Sequence, residues 1–397
     1  MKGFLTADAP TKKPLPLVAQ CGSCQLYKHC KSPKMPVDGK GKRKILVLGE
    51  SPGSEEDEQG RPFVGVSGQL VNSTLAKFGI NFREDCWIYN SCICHPEKNE
   101  LPPAAIGYCR PNVVKIIQEL KPRTIILLGA SAVKSVIGWQ WKEDVGAAGR
   151  WDGWVIPSQK LNAFICPTWH PSYVLRMDRQ DGSNLARLFF EKHLEVACNL
   201  RGRPWPEGVP DFERQVHLEY DPDAAAKMID TFTEHGAEVA FDIETDRLHP
   251  YHEDASIVCC SVCNGAGSVA FPWHGAAIDA MKRLLVSDVP KWGWNCKFEH
   301  TWLRKKLGVW VNNWQWDGML GTHVLDNRSD ICSLAFQCFV RLGFDYKDET
   351  SKYMKAKGSN EKNKVREAPL DRMLHRCAMD SLVEFKIAEL QRKEMGL

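Results

Sequence analysis

Gly49-Glu50-Ser51-Pro52-Gly53 follows directly on the apolar run Ile45-Leu46-Val47-Leu48. A short β-branched run bounded by glycine reads as a buried strand of a parallel sheet. Glycine and proline then turn the chain into a tight loop at the strand's C-terminal end, the edge where open α/β sheets bind ligands. The loop continues through Glu56-Asp57 to Gly60-Arg61-Pro62-Phe63-Val64-Gly65. An acidic surface turn does not require a Phe and an Arg among so many glycines. A flat ligand stacked on Phe63 does.

At 397 residues the chain exceeds the usual size of one domain and is expected to hold two. With 43% hydrophobic and 25% charged residues, each half has the means to bury a core. No N-terminal apolar run resembles a signal peptide and none reaches membrane-spanning length, so a soluble cytoplasmic protein with no membrane partner is expected. In that setting sixteen cysteines read as metal ligands and small core residues rather than disulfides. Residues 1–205 carry 28 Lys and Arg against 19 Asp and Glu, a surplus of nine positive charges; the remainder carries 24 against 30, a surplus of six negative. A basic half suits a polyanion. An acidic half meeting the same polyanion needs cations between them.

Residues 1–17 are expected to form a disordered tail. Cys21-Gly-Ser-Cys24 comes next, with Cys30 and a basic run behind it; a second pair, Cys94 and Cys109, follows the strand-like Trp87-Ile88-Tyr89. Four thiolates from two segments suit a [4Fe–4S] cluster or a structural zinc, while Cys86 and Cys92 read as core. Strands and helices then alternate through Thr124–Leu128 and Ala163–Cys166, the pattern of an α/β sandwich around a mainly parallel sheet. The last strand runs into His170-Pro171-Ser172-Tyr173-Val174-Leu175-Arg176, placing a histidine at the same sheet edge as Gly49.

The Gly49–Gly65 loop, Asn90, the four cysteines and the His170–Arg176 segment together resemble the iron–sulfur (family 4) uracil-DNA glycosylases over residues 18–200. The resemblance implies that Cys21, Cys24, Cys94 and Cys109 hold a [4Fe–4S] cluster. It implies that Phe63 stacks on a flipped uracil, Asn90 bonds its Watson–Crick edge and His170 stabilises charge growing on O2. Glu50 and Ser51 would contribute loop backbone to the pocket, and Glu56 would line it. The chemistry is coherent, because a base must leave the stack before its glycosidic bond is cut and departs as an anion. Tyr173 and Leu175, beside Arg176, would form a wedge in the gap left in the duplex. Ser51 departs from the family, whose members usually carry Ala or Gly there.

Leu200–Pro210 is rich in Pro and Gly, and a linker over residues 201–215 is expected. A second domain, residues 216–397, opens on Ala237–Thr245, where Asp242 and Glu244 alternate with apolar residues and so project from one face of a strand. Paired carboxylates need a cation such as Mg²⁺ or Mn²⁺ between them. Asn295-Cys-Lys-Phe-Glu299 and His375-Arg-Cys-Ala-Met-Asp380 follow in order. This series resembles the DEDD superfamily of 3′–5′ exonucleases, closest to the proofreading domain of family A DNA polymerases. A ribonuclease H-like mixed sheet is implied, with two Mg²⁺ or Mn²⁺ ions held by Asp242, Glu244, Glu299 and Asp380. Glu299 stands where the pattern offers Asp, and Arg376 where proofreading relatives carry Tyr. His375 sits five residues before Asp380, the general-base position of the histidine subclass, and is expected to accept a proton from the attacking water. Lys352–Arg366 is expected to be a solvated, mobile loop.

The pairing is that of some bacteriophage polymerases. It implies DNA as partner, a separate DNA polymerase subunit, and residence at the nucleoid or in infected host cytoplasm.

Overall fold

The computed structural model describes residues 18–181, 184–347, 349–358 and 361–397; the expected tail, residues 1–17, lies outside them. The chain forms two compact units that divide between Pro206 and Glu207.

In the first unit β1 (Ile45–Gly49), β2 (Cys86–Asn90), β3 (Thr124–Leu128), β4 (Ile156–Ser158) and β5 (Ala163–Thr168) form one sheet in the order β2-β1-β3-β5-β4. All pairs are parallel except β4 with β5. β1 and β3 are buried along their whole length, as strands covered on both faces must be. Ile45 and Val47 face a cluster with Leu70, Val71 and Leu75 of helix Val66–Lys77 and Phe190 and Leu194 of helix Leu185–Asn199. Leu46 and Leu48 point to the opposite face by the two-residue period of a strand.

In the second unit β6 (Val216–Leu218), β7 (Val239–Thr245), β8 (Ile257–Cys263), β9 (Ser268–Pro272), β10 (Lys291–Gly293) and β11 (Trp314–Asp317) make a mixed sheet in the order β11-β10-β7-β8-β9-β6. Helix Leu370–Glu394 crosses it, burying Met373, Cys377, Ser381 and Phe385 at four-residue spacing. Two buried hydrogen bonds fix the helix register: Ser261 Oγ to the Cys377 carbonyl at 2.6 Å, and Ser268 Oγ with Ser381 Oγ at 2.7 Å. Both units are α/β folds; in the second the order β9-β8-β7-β10-β11, with β7, β8 and β9 antiparallel and β10 and β11 parallel to β7, is the mixed sheet expected of a ribonuclease H-like domain. No helix among the described residues is long and apolar enough to cross a membrane.

Two local expectations change. Much of the expected linker is docked: Asn162 exchanges hydrogen bonds with the Trp205 backbone, Trp205 Nε1 donates to the Pro157 carbonyl, and Phe212 is buried in the second core. The end of the Lys352–Arg366 segment, residues 361–366, is likewise anchored rather than free, while residues 359–360 lie outside the described residues. Asn363 bonds the carbonyls of Thr245 and Asp246, and Val365 is fully buried, because a short apolar side chain there completes the core beneath β8.

Candidate active sites

The first site lies where four parallel strands end. Gly49 pairs in register with Asn90, β3 gives way to Gly129, and β5 to Trp169-His170. Gly129 donates its amide to the Thr168 carbonyl at 2.8 Å. A side chain at either glycine would fill the space between these ends. A Cβ on Gly49 would lie 2.5 Å from Phe63 Cζ and 2.6 Å from Asn90 Oδ1; one on Gly129, where φ is +82°, would lie 2.7 Å from His170 Cβ. The ring of Phe63, the amide of Asn90 and the imidazole of His170 thus approach the sheet edge over bare backbone.

Phe63 is held at φ +57°, a left-handed conformation uncommon for an aromatic residue, so neighbours must impose it. Arg83 Nη2 donates to the carbonyls of Pro62 and Phe63 at 2.7 and 3.1 Å, while Nη1 pairs with Asp38. Glu56 does the rest. Its Oε1 accepts the amides of Val64 and Gly65 at 2.9 and 2.8 Å, and its Oε2 that of Gly53 at 3.0 Å. Glu56 therefore braces the loop with both oxygens, which corrects its expected place as a pocket-lining residue.

His170 Nδ1 lies 2.7 Å from Ser172 Oγ and accepts the Ser172 amide at 3.2 Å. A nitrogen that accepts an N–H carries no proton, so the neutral ring bears its hydrogen on Nε2. Burial lowers the imidazole's pKa, with Arg176 adding to the effect and Glu50 opposing it. Glu50 Oε2 accepts the Ser131 hydroxyl at 2.7 Å. Tyr173 is exposed, edge-on to Trp169 at 5.5 Å and with Arg176 over its ring at 5.9 Å. Leu175 instead packs against the apolar cluster under the sheet, because it follows the buried Val174 on the same helix. It is corrected from wedge to packing residue.

Cys21, Cys24, Cys94 and Cys109 line one small cavity, together with Cys92, which the sequence assigned to the core. Burial raises the Cys24 pKa and pushes the Cys94 thiol up to about 12. The Cys92 thiol and the Asn112 amide donate to Cys109 and hold it near 7. Lys34 donates its amide to Cys94 Sγ at 3.3 Å, and the Leu26 amide bonds Cys24. Hydrogen bonds aimed at sulfur inside an apolar wall fit thiolates that serve a metal centre.

In the second unit, ligand atoms of Asp242, Glu244 and Asp380 lie within 4.8 Å of one another. They line a cleft of about 730 Å³ with Glu299, Phe298, Trp294 and Arg376. Glu299 is not one of the three that converge, yet it is buried and its Oε2 has no hydrogen-bond partner. Burial, reinforced by mutual repulsion, raises the Asp242 pKa well above the ordinary range. Burial also pushes Glu244 up to about 7, against the pull of Arg376, and Glu299 up to about 8. Carboxylates crowded in this way fit divalent cations.

His375 does not join them. Its Nε2 meets Glu213 Oε2 at 2.5 Å on the other side of the helix. The helix begins at Leu370, behind Pro369, and runs unbroken through Asp380. Five residues along an α-helix turn the side chain by about 140°, four by only about 40°. Hence Arg376 faces the cleft, and His375 is corrected from general base to surface ion pair. Sequence reasoning missed Tyr346, whose hydroxyl bonds Asp380 Oδ1, and Cys377, whose Sγ lies 3.4 Å from Asp242 Oδ2. The one-residue helical shift flags Cys377; nothing local flags Tyr346.

Residues 36–194 match the uracil DNA glycosylase superfamily and residues 217–395 the 3′–5′ exonuclease family. The type-4 uracil-DNA glycosylase of Pyrobaculum aerophilum is 36% identical over 164 residues, which span 40% of this chain and 82% of that protein. The one from Thermotoga maritima is 32% identical over 160 residues, 40% of this chain and 80% of that protein. The DNA polymerase of Bacillus phage SP01 is 25% identical over 330 residues, 74% of this chain but 34% of the polymerase. Among solved structures, Escherichia coli RNase D aligns with 46% of this chain and 45% of its own at 12% identity, with a TM-score of 0.37.

Proposed function

Because the chain belongs through its first unit to the type-4 uracil-DNA glycosylase family and carries a 3′–5′ exonuclease domain in its second, we propose that it is a DNA-processing hydrolase with two activities. The first crevice excises uracil; the second cleft removes nucleotides from 3′ ends. The observation that carries the first activity is the meeting of Phe63 and Asn90 over the bare backbone of Gly49.

A flipped uracil would lie against the Phe63 ring, with the Asn90 amide on its Watson–Crick edge. Uracil presents an acceptor where cytosine presents a donor, and an amide held by packing tells them apart. A neutral His170 with its hydrogen on Nε2 would donate to O2 as the base leaves with the bonding electrons. Such donors act as an oxyanion hole. Glu50, steadied by Ser131, would accept a hydrogen bond from the water that attacks the sugar, with Ser51 beside it. Exposed Tyr173, with Arg176 over its ring, would stand in the duplex where the base had been.

A [4Fe–4S] cluster on Cys21, Cys24, Cys94 and Cys109 would be structural, cross-linking the N-terminal segment to the strand-end loop. The N–H···S bonds to these sulfurs suit either metal centre, and kinship with the type-4 glycosylases favours the cluster.

In the second unit, divalent metal held by Asp242, Glu244 and Asp380 would offset their charge and polarise the scissile phosphate. Glu299, buried and unpartnered on one oxygen, would hold a water or an ion ligand. Trp294 and Phe298, which line the cleft, would stack on the terminal bases. Similarity to a phage polymerase supports service beside a polymerase, in which the exonuclease edits and the glycosylase domain clears uracil.

Two assays test this reading. Uracil release from a labelled oligonucleotide is expected; binding without release would reduce the first unit to a reader of uracil. Alanine at both Asp242 and Glu244 is expected to abolish Mg²⁺-dependent shortening of 5′-labelled single-stranded DNA, and retained digestion would sink the exonuclease assignment. Parallel RNA oligonucleotides decide the substrate class.

A further inference from the structure

Arg376 occupies the cleft as if it were itself a ligand. Its Nε lies 3.0 Å from Glu244 Oε1 and 3.6 Å from Asp380 Oδ2. Its Nη1 is tied back to Thr350 Oγ1 at 3.3 Å and Ser351 Oγ at 3.2 Å. With the side chain only 13% exposed, the guanidinium is seated rather than swinging in solvent. Asp380 is engaged on both oxygens, since Oδ1 accepts the Tyr346 hydroxyl while Oδ2 faces Arg376.

Charge balance points the same way. The three carboxylates that converge, Asp242, Glu244 and Asp380, carry three negative charges; Arg376 offsets one, and a single divalent cation balances the remaining two. A guanidinium is planar, always charged and weakly hydrated, so it can bridge two carboxylates at a lower desolvation cost than an ammonium. It cannot activate water as a divalent ion does, so it takes over charge balance and phosphate orientation only.

We propose that Arg376 takes the place of one of the two cations, so that the second unit binds a single divalent ion among Asp242, Glu244 and Asp380. This rests on the exonuclease reading of the cleft and deepens it. The remaining N–H groups of Arg376 then serve as a fixed donor to a phosphate oxygen.

The test counts Mn²⁺ bound to the full-length chain by electron paramagnetic resonance of the free ion. The count for a D242N/E244Q chain is subtracted, so that binding at the cysteines or elsewhere cancels. One Mn²⁺ is expected for the unsubstituted chain, one for R376K, which keeps the charge, and two for R376Y, which removes it. Two ions in the unsubstituted chain would overturn the proposal while leaving the exonuclease reading intact; none would overturn both. One ion in a folded R376Y chain, its folding checked by thermal unfolding, would also overturn the proposal. Should R376Y fail to fold, the unsubstituted count decides alone.

Discussion

His170 and Ser172 fix one another: the imidazole Nδ1 accepts the serine amide at 3.2 Å with the hydroxyl at 2.7 Å. A two-residue turn thus selects the tautomer that points an N–H outward. Removing His170 (H170A) is expected to lower the rate of uracil release by roughly 10²–10³. S172A loses one hydrogen bond, about 1 kcal/mol, and should cost only about fivefold. Single-turnover kinetics on a uracil-containing oligonucleotide measure both; equal losses would show that the serine does more than orient the ring.

Gly49 admits no side chain without displacing the pocket, because its Cβ would lie 2.5 Å from Phe63 Cζ and 2.6 Å from Asn90 Oδ1. G49A is expected to weaken uracil binding by about 5- to 150-fold, the effect of misplacing a stacking ring worth about 1–3 kcal/mol. The sheet should persist. Competition by free uracil and a thermal melt separate the two effects.

Cys109 and Cys92 share the thiol cavity but should part company on substitution. C109S is expected to lose about four iron atoms per chain and the broad visible absorption of the anaerobically purified protein. C92A, which removes only the donor to Cys109, should keep both. Zinc in place of iron in the unsubstituted protein would refute the cluster.

The acidic cleft makes stability depend on pH when no metal is supplied. Glu244 and Glu299 titrate near 7 and 8 in the fold against 4.5 for an unperturbed glutamate. The folded state therefore holds protons that the unfolded chain releases, so this contribution is fully present below about pH 4.5 and is lost as pH rises through 7 and 8. In a chelator, the second unit's melting temperature is expected to fall from pH 5.5 to pH 8.5. Mg²⁺ should flatten that slope by compensating the ionised carboxylates. Calorimetric melts with and without Mg²⁺ provide the check.

His375 pairs with Glu213, a residue two-thirds exposed. H375A should leave the exonuclease rate within about twofold and cost no more than about 1 kcal/mol of stability, as exposed ion pairs do. A loss of about a hundredfold in rate, read on single-stranded DNA, would restore the histidine to the chemistry.

The buried strand at Ile45–Gly49, the loop glycines behind it, the paired acids of Val239–Thr245 and the convergence of two cysteine pairs were all legible in the chain. Each depends on local periodicity or on a residue type with few conformations open to it. Tertiary structure decided which side chains turn toward the chemistry. Unbroken helical phase aims Arg376 into the cleft and His375 out of it, and a loop far along the chain brings Tyr346 onto Asp380. The fold likewise turns Glu56 inward to hold the Gly49–Gly65 loop, and adds Cys92 to the thiol cavity. Motif spacing names the candidates, because it follows from the chain's own repeat. Facing and partnership follow from packing, where residues distant in sequence compete for the same few ångströms.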